Sequence, residues 1–251
     1  MSGVEDPSEL LDLLEADREA HLYALGDLEE PYWSHSHWFR RGDAAVGLIS
    51  TGGGWATGYA MSRLAPTETL ALFAEVQDRL TPHSWVTGAL GLHDTVSQVR
   101  SCRTIGPHWR MILDEPRLIE HDLAITELGA SDVEALSELH SAEPGRAFWL
   151  VGMLSAYPFV GLWEGERLLA SAGCHVASER YGVAAIGAVF THPDVRGRGL
   201  GAAVTSELLR RLHGRFETIG LNVEVGNKPA IRIYDRLGFR RAFQYEEIEL
   251  L

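Results

Sequence analysis

The stretch that decides the fold of this chain is Arg196-Gly197-Arg198-Gly199-Leu200-Gly201. It follows an apolar run over residues 182–191 and opens an amphipathic segment with apolar residues at 200, 204, 208 and 212. These patterns predict a strand, a loop and a helix in that order. Glycines without Cβ atoms let backbone N–H groups converge on an anion, and a helix N-terminus adds its positive dipole end. We therefore predict a pyrophosphate site, with Arg196 and Arg198 bonding phosphate oxygens.

Composition and charge limit the class of protein. The chain has 251 residues, of which 45% are hydrophobic and 23% charged, as in soluble globular proteins of one or two domains. Its net charge of −13 disfavours nucleic acid and anionic membranes as partners. Between residues 192 and 215, however, five arginines stand against two acidic residues. This local basic segment coincides with the glycine loop and fits an anionic ligand.

Cysteine use and hydropathy indicate the compartment. Cys102 and Cys174 are far apart and lack CxxC spacing, which argues against a disulfide framework and against a zinc site. The first residues are acidic and lack the basic and apolar regions of a signal peptide. No run approaches the ~20 apolar residues of a membrane span. We therefore expect a cytoplasmic protein with no bound metal and no membrane segment.

The order of predicted elements suggests two related domains. The second half predicts strands at 159–163, 168–176, 182–191, 217–225 and 239–250, with helices at 199–212 and 227–237. The first half predicts strands at 38–40, 44–50, 55–61, 85–90 and 109–113, with helices at 67–80 and 95–102. This order favours a diverged duplication within an α/β fold, although any α/β domain shows a similar order. The predicted domains span 1–115 and 121–251, joined by a polar linker at 114–121.

Two other phosphate-binding loops compete for the glycine pattern. A Walker loop requires Gly-Lys-Ser/Thr at its end, whereas Gly201 is followed by two alanines, so that interpretation fails. A dinucleotide fingerprint fits better, because Gly197-x-Gly199-x-x-Ala202 matches its minimal form and Glu224 ends the next predicted strand. In that fingerprint the first glycine follows its strand almost at once, whereas here the polar segment 191–195 intervenes. Dinucleotide binding therefore stays the weaker alternative.

Two motifs together resemble one known family. Arg196-x-x-Gly199-x-Gly201, after a strand ending Val-Phe-Thr-His-Pro, resembles the coenzyme A motif of the GNAT acetyltransferase superfamily. The segment 221–239 runs from Leu-Asn-Val through Asn227 and Tyr234 to Gly-Phe, and it is similar to the superfamily's next strand-helix-strand motif. The resemblance covers about residues 122–251. The tandem layout resembles members with a degenerate first domain, such as the glycine N-acyltransferase-like group.

The resemblance implies a GNAT-like mixed sheet flanked by helices, in two related domains in tandem, and acetyl-CoA as the acyl donor. It implies that amides of Val189 and Thr191 bond the pantetheine arm and thioester as an added strand, with Asn227 near the pantetheine. The expected cofactor-binding residues are Val189, Phe190, Thr191, Arg196, Gly197, Arg198, Gly199, Leu200, Gly201, Ala202, Asn227 and Ala230.

Candidate catalytic residues come from the resemblance and from side-chain chemistry. The resemblance makes Tyr234 the general acid for the leaving thiolate, and a reference pKa near ~10 suits that role. Asn227 is equally a good helix N-cap, and Tyr234 is equally a packing aromatic. Many superfamily members carry a glutamate on the strand before the loop, but residues 183–190 contain no acid. The general base is therefore open between His175, Glu224 and a chain of waters.

The expected function is transfer of acetyl from acetyl-CoA to a primary amine of a small molecule or peptide, by direct attack in a ternary complex. A non-catalytic acyl-CoA sensor is the alternative, because phosphate contacts need no base. Residues 60–68 hold the place of the loop in the first half and contain no glycine. We therefore expect residues 1–115 to wall the acceptor pocket or support the second domain without binding coenzyme A. The acceptor and the oligomeric state, with a homodimer among the options, stay open.

Overall fold

The chain divides into two units in its computed structural model, which describes residues 2–50, 55–144 and 151–251. The first unit comprises Met1–Arg110, Val223–Gly226 and Arg241–Leu251, and the second comprises Met111–Asn222 and Asn227–Arg240. The first break lies near the predicted linker. The last residues of the chain belong to the first unit, so the chain passes between the two units more than once. No helix in the described ranges has the length and apolar character needed to cross a bilayer.

The first unit is built around a mixed sheet. Its strands follow the order β1-β2-β3-β4-β5, and the later part of the last strand, β12 (Phe239–Leu250), lies next to β5, with β6 beyond it. β4 and β5 pair in parallel, and the helix α3 connects them along the chain. The elements are β1 (Ser2–Val4), α1 (Ser8–Glu15), α2 (Leu22–Asp27), β2 (Ser36–Arg41), β3 (Ala44–Ser50), β4 (Trp55–Ala60), α3 (Pro66–Val76), β5 (Leu80–Gly88), α4 (Leu92–Ser97) and β6 (Cys102–Leu113).

The second unit repeats this order of strands and helix. Three antiparallel strands lead into a crossover helix, α7, and then into a strand parallel to the third, giving the order β11-β10-β9-β8-β7. The elements are β7 (Ile125–Glu127), α5 (Val133–Ser141), α6 (Val151–Ala156), β8 (Phe159–Glu164), β9 (Arg167–Ser178), β10 (Val183–Thr191), α7 (Leu200–Leu212), β11 (Thr218–Glu224), α8 (Lys228–Leu237) and the first two residues of β12 (Phe239–Leu250). Common descent of the two units stays a prediction.

Helix α7 forms because its apolar residues recur on one face. Leu200, Val204, Leu208 and Leu212 are all at most 4% exposed, so the predicted stripe is the buried face of the helix. The helix packs on β8, β9 and β10. This packing fixes the N-terminus of α7 at the end of β10, where the glycine loop lies.

Most predicted elements of both halves are confirmed, and two helix boundaries are wrong. The helix expected at 95–102 spans Leu92–Ser97, because Gly91 at φ +95° starts it earlier, and Cys102 already begins β6. The helix expected at 67–80 ends at Val76, and a short 3-10 turn precedes β5. The sequence did not predict the short elements β1, α1, α2, β7, α5 and α6.

Candidate functional site

Strands β10 and β11 pair over only part of their length. Their parallel ladder runs from Val183 and Thr218 to Ile186 and Leu221. Beyond that point β10 continues to Thr191, and its pairing there is with β9 on its other side. The edge of β10 that follows Ile186 therefore has no strand partner in the described part of the second unit. Such an edge presents backbone N–H and C=O groups to any extended ligand that can add as a strand.

A β-bulge lies in this unpaired part of β10. Between the pairs Gly187–Gly173 and Phe190–Ser171, β10 has two residues where β9 has one. Ala188 adopts φ +48°, a left-handed conformation that is unusual for a residue with a side chain. A bulge of this kind bends the strand and re-aims its backbone groups, and bulges are frequent beside active sites. The bend falls where the ladder to β11 has just ended.

The glycine loop has the backbone that the sequence predicts. Gly197 and Gly199 adopt φ +78° and +80°, which favours glycine, and a Cβ at either position would meet nothing within 4 Å. These two glycines are therefore required by backbone conformation, and the space beside them is open. Gly201 differs, because a Cβ there would lie 3.1 Å from Thr191 Oγ1. Leu200, which begins α7, is buried.

The two arginines of the loop are placed differently. Arg196 makes a two-pronged ion pair with Glu143, at 2.9 and 2.6 Å, and its Nε donates to the Thr191 carbonyl oxygen at 3.1 Å. Arg198 is exposed and makes no ion pair with any described residue. Arg196 therefore links the loop to Glu143 and to the end of β10. Arg198 is the arginine of the loop whose side chain can bind an anion. The sequence did not signal Glu143, which is 53 residues away.

Tyr234 lies on α8 and is 7% exposed. Its ring packs edge-on against Phe239, with the centroids 5.9 Å apart. Burial raises the pKa of the Tyr234 hydroxyl well above its ordinary value of 10.0. The hydroxyl is therefore protonated throughout the neutral range, which is the state a general acid needs.

Asn227 is the N-cap of α8, since its Oδ1 accepts a hydrogen bond from the Ala230 amide at 3.2 Å. This is the capping role that the sequence allowed as an alternative. Ala230 and Asn227 are both half-buried. The structure thus gives Asn227 a folding role at the start of α8, and its proximity to a ligand stays a prediction.

The two side chains predicted as bases have different surroundings. His175 lies on β9 with its imidazole directly over Gly187, so that a Cβ at Gly187 would lie 2.1 Å from His175 Nε2. The register shifts at this point, because Val176 pairs with Ala185 and Cys174 with Ile186, which makes His175 the extra residue of a second bulge. Glu224 is exposed at the end of β11, in the stretch Val223–Gly226 that groups with the first unit.

The described part of the first unit has neither a gap beyond its parallel ladder nor an unpaired arginine in the loop that follows it. Its parallel ladder reaches Ala60 and Gly88, the last residues of β4 and β5, so no gap opens between the two strands. The loop that follows β4 contains Arg63, which is bound by the Asp17 carboxylate through two hydrogen bonds, one of them 2.7 Å long. The arginine that follows this strand is therefore already paired with a carboxylate of its own unit. Within the described ranges no group of three or more His, Cys, Asp or Glu is placed to hold a metal ion.

Solved structures with this arrangement of elements cover nearly the whole chain. A protein of the GNAT family from Novosphingobium aromaticivorans gives a TM-score of 0.63 at 22% identity, over 93% of this chain and 98% of its own. A GCN5-related N-acetyltransferase from Kribbella flavida gives 0.60 at 17% identity, over 93% and 94%. A protein from Drosophila gives 0.72 at 16% identity, over 100% and 98%.

The chain has the GNAT fold. The predicted fold class, a mixed sheet flanked by helices, is thereby confirmed. Residues 159–248, which contain β8–β11, α7 and α8, match the sequence model of the FR47-like protein family. The likeness to the glycine N-acyltransferase-like group stays a prediction.

Two mycothiol acetyltransferases are similar to part of the chain. That of Catenulispora acidiphila is 37% identical over 87 residues, which are 32% of this chain and 27% of the relative. That of Streptomyces coelicolor is 48% identical over 48 residues, which are 19% and 16%. The match therefore spans about a quarter or less of each curated relative.

Proposed function

We propose that this protein is a GNAT-type N-acetyltransferase that transfers the acetyl group of acetyl-CoA to a primary amine. The observation that carries the proposal is the end of the β10–β11 ladder at Ile186, followed on the same strand by the glycine loop and the N-terminus of α7. An unpaired strand edge suits an extended amide-containing arm, and a glycine loop at a helix N-terminus suits a pyrophosphate. Coenzyme A contains both groups in that order.

The backbone supplies most of the proposed donor site. Val189, Phe190 and Thr191 offer the unpaired edge of β10 to the pantetheine arm, and the amides from Gly197 to Ala202 take the phosphates. Arg198 adds a charge-assisted bond, whereas Arg196 holds the loop in shape through Glu143. When bound, acetyl-CoA would supply the thioester that the amine attacks. Backbone N–H groups at the bulge would polarise the acyl carbonyl.

Two side chains carry the proposed proton transfers. His175 accepts a proton from the attacking amine, and we favour it over Glu224 because its ring lies against β10 where the ladder has ended. Tyr234 donates a proton to the sulfur as the thiolate leaves. The amine attacks the thioester directly, and alignment of the two reactants supplies most of the rate.

We propose that residues 1–115 do not bind coenzyme A. The β4–β5 ladder, which reaches the last residue of both strands, and the Asp17–Arg63 pair support this proposal. One molecule of acetyl-CoA would then bind per chain. The acceptor is an amine on a small molecule or peptide, and the net charge of −13 favours a cationic one. We place the protein in the cytoplasm, where acetyl-CoA would be its donor.

A mass-spectrometric screen tests the reaction. The purified chain is incubated with acetyl-CoA and a panel of primary amines, and products 42 Da heavier than an amine are sought while free thiol is measured in parallel. An acetylated amine formed with matching thiol release supports the proposal. Binding of acetyl-CoA without turnover of any amine would instead favour an acyl-CoA sensor.

A further inference from the structure

One polar atom beside the proposed acyl site has no partner. The side-chain oxygen of Asn222 is buried and accepts no hydrogen bond in the described structure. Asn222 is the residue of β11 that follows Leu221, where pairing with β10 ends. Buried polar atoms are nearly always bonded, because desolvation without a replacement bond costs stability. An unbonded oxygen at the opening of the two strands therefore points to a partner that arrives with a ligand.

The register shows which face of the sheet Asn222 shares. Ile186 and Leu221 are paired, so they point to the same side. Side chains alternate along a strand, and the next residues, Gly187 on β10 and Asn222 on β11, both point to the opposite side. The His175 imidazole lies on this side as well, since it occupies the space beside Gly187 where a Cβ would be.

Gly187, His175 and Asn222 are half-buried, so this part of the face is partly open to solvent. The pairs behind Gly187 and Asn222 on this face are Ala185 with Gly220 and Val183 with Thr218. Ala185, Gly187 and Gly220 have little or no side chain. His175 and Asn222 thus lie on one face of the sheet, beside small residues, at the point where the strands separate.

We propose that Asn222 is an acceptor-binding residue whose side-chain oxygen accepts a hydrogen bond from the amine N–H of the acceptor. This inference rests on the proposed acetyltransferase function. The amine lies between Asn222 and His175, with its lone pair toward the strand opening. The nitrogen–carbon bond to the acetyl group forms as the carbon–sulfur bond breaks. The amine proton passes to His175, and the sulfur takes its proton from Tyr234. Asn222 holds the amine and exchanges no proton.

Two substitutions of similar shape separate the hydrogen bond from packing. Asn222→Leu keeps the size and removes the oxygen, whereas Asn222→Asp keeps an oxygen acceptor. We expect Asn222→Leu to raise the KM for the best amine of the screen roughly tenfold, the loss of about one buried hydrogen bond. Asn222→Asp is expected to stay within roughly threefold of the wild-type KM. Acetyl-CoA affinity, measured by calorimetry, and Tm should change little in either variant, which shows that both are folded.

The outcomes separate this inference from the function on which it rests. If the wild type acetylates an amine and Asn222→Leu leaves its KM unchanged, the role of Asn222 is refuted while the acetyltransferase function stands. An equal loss in the Leu and Asp variants would also refute it, because shape or packing would then explain the effect. If the wild type binds acetyl-CoA but acetylates no amine, both proposals fail.

Discussion

Arg196 and Glu143 are joined by two hydrogen bonds, which tie the glycine loop of the second unit to the segment that follows α5. The Arg196 guanidinium also stands 5.6 Å from the centre of the Phe190 ring, and Phe190 stacks on His140 of α5 at 5.0 Å. Because Nε donates to the Thr191 carbonyl oxygen, all three nitrogens of the guanidinium make hydrogen bonds within the second unit. We therefore propose that the first arginine of the loop acts by shaping the backbone that would bind a phosphate.

A double-mutant cycle tests this indirect role. Arg196→Ala and Glu143→Ala should each weaken acetyl-CoA binding roughly two- to fivefold, as expected for a partly exposed ion pair. The double variant should bind no worse than the weaker single variant, because both changes remove the same brace. Calorimetric titration of the four proteins measures the coupling. Additive losses, or an unchanged affinity in Glu143→Ala, would show that Arg196 contacts the phosphate directly.

Gly199→Asp should weaken acetyl-CoA binding roughly 10²–10³-fold. Two unit charges about 4 Å apart at a protein surface interact by about 4 kcal/mol, and here the interaction is repulsive. Gly165→Asp is the matched control, since Gly165 also has a positive φ, of +62°, and open space around it, but lies in the turn between β8 and β9. The control should lose similar stability and keep its affinity. If both variants bound acetyl-CoA equally well, the loop would not be part of the donor site.

Tyr234→Phe should lower kcat roughly 10²-fold with little change in the acetyl-CoA dissociation constant. The phenyl ring keeps the edge-on packing against Phe239, so the Tm should stay close to that of the wild type. Steady-state kinetics with the best amine, beside calorimetry with acetyl-CoA, measures both quantities. A full kcat in the variant would mean that the thiolate leaves without a proton from this residue.

His175→Gln and Glu224→Gln distinguish the two predicted bases. A general base must be unprotonated, so kcat/KM of the wild type should rise with pH through the pKa of the group that serves. We expect His175→Gln to lower kcat/KM roughly 10²-fold and to abolish that rise, and Glu224→Gln to retain it. Profiles of kcat/KM against pH for the three proteins decide the matter. The reverse pattern would assign the base to Glu224.

Asp27→Asn should stabilise the protein at neutral and alkaline pH. Burial raises the pKa of Asp27 from 3.8 to about 8, so in the folded state the carboxyl keeps a proton that the unfolded chain has already lost. Its contribution to stability is therefore complete below pH 4 and is lost as the pH rises to about 8. Relative to wild type, the variant should melt several degrees higher at pH 8, since 1 kcal/mol moves the Tm by roughly 2–4 °C. No gain is expected at pH 4.

The exposed Asp12 of α1 provides the control for that measurement. Asp12→Asn should leave the difference in Tm between pH 4 and pH 8 as it is in the wild type. A variant at Asp27 that melts like the wild type at every pH would show that this carboxyl is ionised in the folded protein.

The sequence predicted local features well and pairings across the chain poorly. The glycine loop and α7 follow from spacing alone, because backbone conformation and a repeating apolar face are local properties. The Arg196–Glu143 pair, the position of His175 over Gly187 and the unbonded Asn222 depend on which strands meet and where their ladder ends. A glycine inside a strand, as at 187, does signal close approach of another group. It does not say which residue approaches.

Titration of acetyl-CoA into the wild-type chain by calorimetry tests the central claim most directly, with NADH titrated under the same conditions. We predict saturable binding of one acetyl-CoA per chain and no binding of NADH, because among the described residues only the second unit has an open strand edge followed by a glycine loop. Binding of NADH with no heat from acetyl-CoA would contradict the assignment of the loop. A stoichiometry of two would contradict the division of roles between the units.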